Sequence, residues 1–337
     1  MRERGLRREE ARRERGRGLT RRELLRALLG GVAAPLLAGC GGQPPRGGRL
    51  TVWSCGGNYD LLLDFHGWLQ QEAQCRITYS SAPVEYLIAT IVARPRGVDV
   101  LVGRSGPGWQ ELTQKGRLAG RPEVFALDPY VIITPVGNPG GIRGLADLKR
   151  SGVRTVYAPT SSGPSGPVIQ ILLQTADQVV EPGIWEGYVR NAIEAHDCGW
   201  KVFPPVIEGR AHASVTRLSM TTVPDIRGKV EVIPVPVEVM AAMTEGQGAI
   251  PQRLATLSDA RNTALAAWYA NALLGEVGAD YCQRHGFIHR LSPEADRYAP
   301  LFKRQAGPRQ RGQARRGEAA GGGGAAAPPR RGGRTSR

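Results

Sequence analysis

The sequence predicts an α/β fold with a mainly parallel sheet, and three observations carry that prediction. Short β-branched runs alternate with longer stretches of helical period from Leu50 onward. Two of the runs, YVIITP (130–135) and VRTVYA (153–158), are apolar enough to be strands buried on both faces. Loops rich in Gly and Ser stand between strand and helix. In order, LTVW (50–53) is a strand and an apolar-periodic helix follows over about 60–74. CRITY (75–79) is the next strand, and Glu85–Val92 is helical. VDVLV (98–102) is the third strand, followed by a short helix over Trp109–Lys115. A Gly/Pro loop and GLADLK (144–149) separate the two buried strands, and helices are expected at about 166–179 and 184–195. WKVF (200–203), ASVTRL (213–218) and VEVIPVPVEVM (230–240) read as further strands. An amphipathic run from Leu257 to Leu274 and a helix near Ala279–His285 close the fold.

The 337 residues suffice for one large or two medium domains. A formal net charge of +15 would ordinarily suggest a polyanionic partner. Its distribution argues otherwise. Residues 1–40 hold 11 Arg against 5 Glu, and residues 303–337 hold 10 Lys and Arg against one Glu. Residues 41–302 keep 24 basic and 24 acidic side chains, so the basicity belongs to the ends and no nucleic-acid face is expected. Residues 303–337, with GEAAGGGGAAAPPRRGG, read as a disordered basic tail.

The N-terminal stretch reads as an address. Thr20-Arg21-Arg22-Glu23-Leu24-Leu25 resembles the twin-arginine export motif, with Arg21 and Arg22 as its pair. The 12 residues Ala27–Ala38 are mostly apolar, too few to span roughly 30 Å of hydrocarbon but enough for a signal core. They run into Leu37-Ala38-Gly39-Cys40, which resembles a lipobox, and such a signal implies cleavage before a lipid-bearing Cys40. Residues 41–48, GGQPPRGG, read as a flexible tether. The expected product is an exported protein tethered outside the cytoplasmic membrane, in a compartment where disulfides are allowed. Cys55, Cys75, Cys198 and Cys282 remain there; Cys55 and Cys75 fall at opposite ends of adjacent strands and are not expected to pair. His196, Cys198 and His212 are too loosely spaced for a metal site.

In a parallel sheet, ligands bind at the carboxyl ends of strands beside helix N-termini, which singles out the loops there. Ser54-Cys55-Gly56-Gly57-Asn58 follows the first strand, and its glycines allow close backbone approach. Cys55 reads either as a small buried residue or as a ligand contact. Ser80 and Ser81 follow the second strand, and Ser105 follows the third. Ser161, Ser162 and Ser165 lie in a hydroxyl- and glycine-rich loop before a helix, suited to holding an oxyanion without neutralising it. Any one of these serines could instead be a helix cap or a turn.

Four stretches carry a family resemblance: LTVWSCGGNYDLLLDF, GVDVLVGRSGPGWQEL, YVIITPVGNPGGIRGLADLKRSGVRTVYAPTSSGPSG and YCQRHGF (281–287). The third is the most specific. Together they resemble the bacterial extracellular solute-binding proteins of ABC importers, closest to the molybdate/tungstate-binding type. The resemblance implies a two-lobed periplasmic-binding-protein-like α/β fold, a mainly parallel sheet in each lobe and a hinge between them. The first lobe would comprise about 49–127 and 238–302, and the second about 128–237. It further implies a monomer without a cofactor that carries a small anionic, molybdate- or tungstate-like ligand to an ABC permease and does no chemistry. Arg217 stands near the place where that family tends to have a tyrosine. It offers a bidentate fork for a carboxylate or another anion, and equally an ion pair on the lobe surface.

Two other classes compete. A sensory or scaffold protein of the same fold would look the same in sequence. An exported α/β enzyme is disfavoured: no G-x-S-x-G elbow, P-loop, H-E-x-x-H or dinucleotide fingerprint occurs.

Overall fold

The computed structural model describes residues 44–93, 97–158, 168–243 and 250–303. Attachment to the folded body begins before the first strand, where the Gly47 amide donates to the Ala73 carbonyl. Strand β1 (Arg49–Ser54) buries Leu50, Val52 and Ser54 on one face. Helix α1 (Tyr59–Ala73) lays Leu62, Phe65 and Leu69 on that face at helical spacing. Strand β2 (Arg76–Ser81), helix α2 (Val84–Ala93), strand β3 (Val100–Arg104), helix α3 (Gly108–Gln114) and strand β4 (Glu123–Leu127) follow. Gly103 admits α2 to β3, because a Cβ there would come within 2.9 Å of Val84 Cγ2.

At Asp128 the chain crosses to a second lobe. Its elements are β5 (Tyr130–Pro135), β6 (Thr155–Tyr157), α4 (Val168–Val179), α5 (Ile184–Arg190), β7 (Ala192–Ala195), α6 (Phe203–Ile207), β8 (Ser214–Arg217) and β9 (Val230–Pro234). Then come α7 (Val237–Ala242), β10 (Pro251–Thr256), α8 (Thr263–Leu274), α9 (Glu276–Arg284), β11 (Ile288–His289) and α10 (Ala299–Lys303).

The first lobe holds a six-stranded sheet in the order β11-β4-β10-β3-β1-β2, and the second holds the sheets β8-β5-β9 and β6-β7. The two-lobed α/β architecture matches the expectation, but the strand pairing is mixed rather than mainly parallel. Among the strands of the described residues, only β1–β2, β1–β3 and β6–β7 form parallel ladders. The crossovers explain the rest. Strand β4 leaves the first sheet toward the second lobe, and β10 enters from that side, so the two must oppose each other and β10 must oppose β3. In the second lobe β5 enters from the crossover while β8 and β9 run back to it, which makes both pairs antiparallel.

Several elements depart from the sequence expectation. The helix expected over 184–195 stops at Arg190, and Ala192–Ala195 becomes an edge strand beside β6. WKVF is not a strand: Gly199–Val202 forms a 3-10 turn that leads into α6, with proline in the first turn where an absent N–H costs nothing. VEVIPVPVEVM is a strand only as far as Pro234, and Pro236 then precedes α7. Helices α7 and α10 fall in the stretch expected of the first lobe, yet Val239, Met240 and Leu301 join the core around Leu172 and Tyr188 of the second. Cys55, Cys75, Cys198 and Cys282 are free thiols.

Two histidines are buried in the first lobe. His66 Nε2 lies 3.0 Å from the Tyr269 hydroxyl, and His289 Nε2 lies 3.0 Å from the Leu273 carbonyl. Burial disfavours the imidazolium and lowers their pKa to about 3 and about 4 respectively. A base whose folded pKa is depressed takes up protons mainly in the unfolded state, so each destabilises the fold as pH falls below the free-imidazole range. Between pH 6.5 and pH 5 each should cost about 1.5 kcal/mol. The loss of unfolding free energy over this interval, measured by urea titration, should therefore be smaller by about that amount in His66→Gln. An equal loss in both proteins would contradict a buried neutral His66.

Candidate functional site

A cleft of about 680 Å³ lies between the lobes. It is lined where strands end, as the sheet geometry requires. From the first lobe come Gly56 and Gly57 after β1, Ser81 at the end of β2 and Pro83 just past it, and Arg104 at the end of β3. Asp128 and Tyr130 form the crossover at its base. From the second lobe come Ala158 after β6, Cys198 and Trp200 after β7, and Arg217 and Ser219 at the end of β8.

Arg217 is fixed from three sides. Its Nη1 lies 3.5 Å from Asp128 Oδ2, its Nη2 lies 3.4 Å from the Tyr130 hydroxyl, and its guanidinium carbon stands 5.5 Å from the Tyr130 ring centroid. Both protein contacts are long, so the five-donor fork keeps capacity for a ligand. Burial disfavours its charge, but Tyr130, Asp128 and Cys55 together outweigh that and raise its pKa above the usual value. Asp128 is 1 % exposed and accepts from the Ser219 amide at 3.2 Å and the Ser219 hydroxyl at 3.0 Å. Burial still raises its pKa, against the pull of Arg217 and Ser219.

The second cation comes from the other lobe. Arg104 lines the cleft, and its buried Nε has no hydrogen-bond partner among the described residues. Tyr130 stands in the lining of the same cleft. Burial raises the pKa of that phenol, while the Arg217 and Arg104 charges pull against the rise. Two guanidinium side chains, one from each lobe, thus line one cleft.

The residues singled out in the sequence do not all reach the cleft. Gly56, Gly57, Ser81 and Arg217 line the cleft. Gly57 is exposed with nothing within 4 Å of where a Cβ would stand, so packing does not demand a glycine there; a side chain would only fill the cleft. Ser54, Cys55 and Asn58 lie buried beneath the loop. Ser54 Oγ donates to the Cys55 carbonyl at 3.0 Å and shares a 2.8 Å hydrogen bond with the Tyr79 hydroxyl. Asn58 Nδ2 lies 3.5 Å from Cys55 Sγ. Ser105 is buried and accepts from Arg253 Nε at 2.9 Å, and Ser80 is exposed on the edge strand β2. Ser161, Ser162 and Ser165, the export pair Arg21 and Arg22, and Cys40 lie outside the described residues.

Sequence reasoning missed Arg104, Asp128, Tyr130, Trp200 and Ser219. Arg104 carried a usable signal: it is the one charged residue closing the apolar strand VLVGR, at the carboxyl end where ligands bind. Trp200 was hidden by the strand expected over WKVF.

Comparison with known proteins yields a family. The model of bacterial extracellular solute-binding proteins matches residues 50–288. The molybdate-binding protein ModA of Mycobacterium tuberculosis is 34 % identical over 74 residues, which is 22 % of this chain and only 28 % of that relative. A substrate-binding domain of a putative molybdenum ABC transporter from Clostridium difficile superposes with a TM-score of 0.56 at 14 % identity, over 72 % of this chain and 98 % of that one. Iron-bound HitA from Pseudomonas aeruginosa superposes with a TM-score of 0.55 at 14 % identity, over 75 % and 92 %. At such identities the structural likeness speaks for the fold alone.

The Asp128–Arg217 pair yields a stability prediction. Arg217→Met leaves a buried carboxylate without its cation and should lower unfolding free energy by about 3 kcal/mol. Adding Asp128→Asn should recover most of the loss. Urea denaturation of both variants checks this, and a single variant as stable as wild type would deny the pair its structural role.

Proposed function

Because the chain belongs to the bacterial extracellular solute-binding proteins, we propose that it is the receptor of an ABC importer and captures a small anion in the cleft between its lobes. The observation that supports this most is that Arg104 and Arg217, from opposite lobes, line the same cleft. Either lobe alone offers one cation; closure about the Asp128 crossover brings both to one anion and removes it from water. The open space over Gly57 and the N-terminus of α1 behind it would add backbone amides. No bond is made or broken in such a cycle. Binding, closure and delivery to a permease are the whole task.

A molybdate- or tungstate-like oxyanion is the ligand that kinship suggests. A carboxylate or another small anion is the second reading, favoured by the two guanidiniums. In a calorimetric screen of molybdate, tungstate, sulfate, phosphate and small carboxylates, at least one should bind. Arg104→Gln and Arg217→Gln should each weaken that binding by about 10- to 100-fold, the worth of a charge-assisted hydrogen bond. Binding that survives both substitutions unchanged would remove the arginine site, and no binding at all would remove the anion receptor.

We place the protein outside the cytoplasmic membrane, exported by the twin-arginine route and anchored through a lipid on Cys40. Radioactive palmitate supplied to a bacterial host should label wild-type protein and not Cys40→Ala. Equal labelling of the two would discard the anchor.

A further inference from the structure

Polar and apolar surface meet in the cleft. Gly56, Gly57, Ser81 and Arg104 of the first lobe stand beside Leu61 and Phe287, and the second lobe sets Val168, Ile169, Val202, Val215, Met220 and Val223 beside Arg217 and Ser219. At the rim Trp200 is 47 % exposed, its ring 5.9 Å from that of Phe203. An exposed indole beside an apolar wall is surface that a ligand with an apolar body would cover.

Size and charge point the same way. A tetrahedral ion of four oxygens fills on the order of 100 Å³, whereas the cleft offers about 680 Å³, within the range of sites for organic ligands. Closure would shrink the cleft without making the valine and methionine wall polar. The two guanidiniums less the buried Asp128 carboxylate leave one positive charge at the base. Asp60 and Asp197 are exposed, and Asp197 is held by Lys201 at 2.7 Å. One net charge suits a monoanion, and the planar guanidinium fork suits a planar carboxylate.

We propose that the ligand is an organic carboxylate with an aromatic or branched aliphatic body. Its carboxylate lies between Arg104 and Arg217, and its body rests on Val168, Met220 and Trp200. The proposal rests on the anion-receptor function above and specifies its substrate class.

Titration calorimetry of the exported chain with benzoate, 3-phenylpropionate, isovalerate, acetate, sulfate and molybdate tests it. The best aromatic or branched acid should bind at least about tenfold more tightly than acetate and than either inorganic ion. Trp200→Ala should bring the ratio of aromatic acid to acetate close to one, and Trp200→Phe should restore part of it. Arg104→Gln should weaken all the acids in proportion. Molybdate or sulfate binding more tightly than every carboxylate would overturn this assignment and leave the anion receptor standing. An unchanged ratio in Trp200→Ala would overturn the apolar subsite. Failure of all six to bind would overturn the anion receptor, and this inference with it.

Discussion

The buried carboxylate of Asp128 is the point on which the rest of the molecule turns. Its backbone amide donates to the Ile250 carbonyl at 2.8 Å, which ties the outgoing crossover to the returning one. Its side chain takes the Ser219 amide and hydroxyl and the Arg217 guanidinium, which ties the same point to the end of β8. Next to it, the Pro129 carbonyl accepts from the Leu218 amide at 2.9 Å. One acidic residue therefore joins two crossovers to the strand end that carries a cleft cation. Burying it is costly, as its raised pKa records. That cost is tolerable only while its partners stay in place, so the position of Arg217 is tied to the crossover.

That coupling shaped what could be read from sequence. The strand over Tyr130–Pro135 was legible to the residue, because all six of its positions are buried and the apolar run is unbroken. Strand β10 was not legible: Gln252 and Arg253 are buried inside it, and polar residues inside a sheet look like loop when their partners lie far along the chain. VEVIPVPVEVM has one β-branched rhythm across two elements. Local propensity cannot separate them, because the contact of α7 with α4 that favours a helix is tertiary. The mixed pairing of the sheets was hidden for a related reason. It follows from where the chain crosses between lobes, and no local pattern records a crossing.

The site was legible where it depends on backbone and obscure where it depends on assembly. Gly56 and Gly57 announce themselves, since glycines at a strand end need a reason. Arg217 was visible as an oddity with two meanings, and the structure pairs it with buried Asp128 and sets it on the cleft wall. Arg104 and Asp128 were passed over because each acquires its role only when the other lobe arrives.

The serines around the first loop show why the cations matter. Ser54 could have been a donor to an oxyanion, but its hydroxyl is turned beneath the loop, between the Cys55 carbonyl and the Tyr79 hydroxyl. Tyr79 packs edge-on against the His66 ring at 4.9 Å, and His66 meets the Tyr269 hydroxyl, so a buried polar chain supports the loop from below. Ser105 is likewise committed to Arg253. Hydroxyls used as supports cannot also face the cleft, and among the first-strand loop residues only glycine backbone does so. Thr216, Ser219 and Thr222 also line the cleft, but their hydroxyls donate to Met220 Sδ, the Asp128 carboxylate and the Ser219 carbonyl. Under the proposed anion-receptor function, Arg104 and Arg217 supply formal positive charge, and drawing one guanidinium from each lobe makes full binding depend on closure.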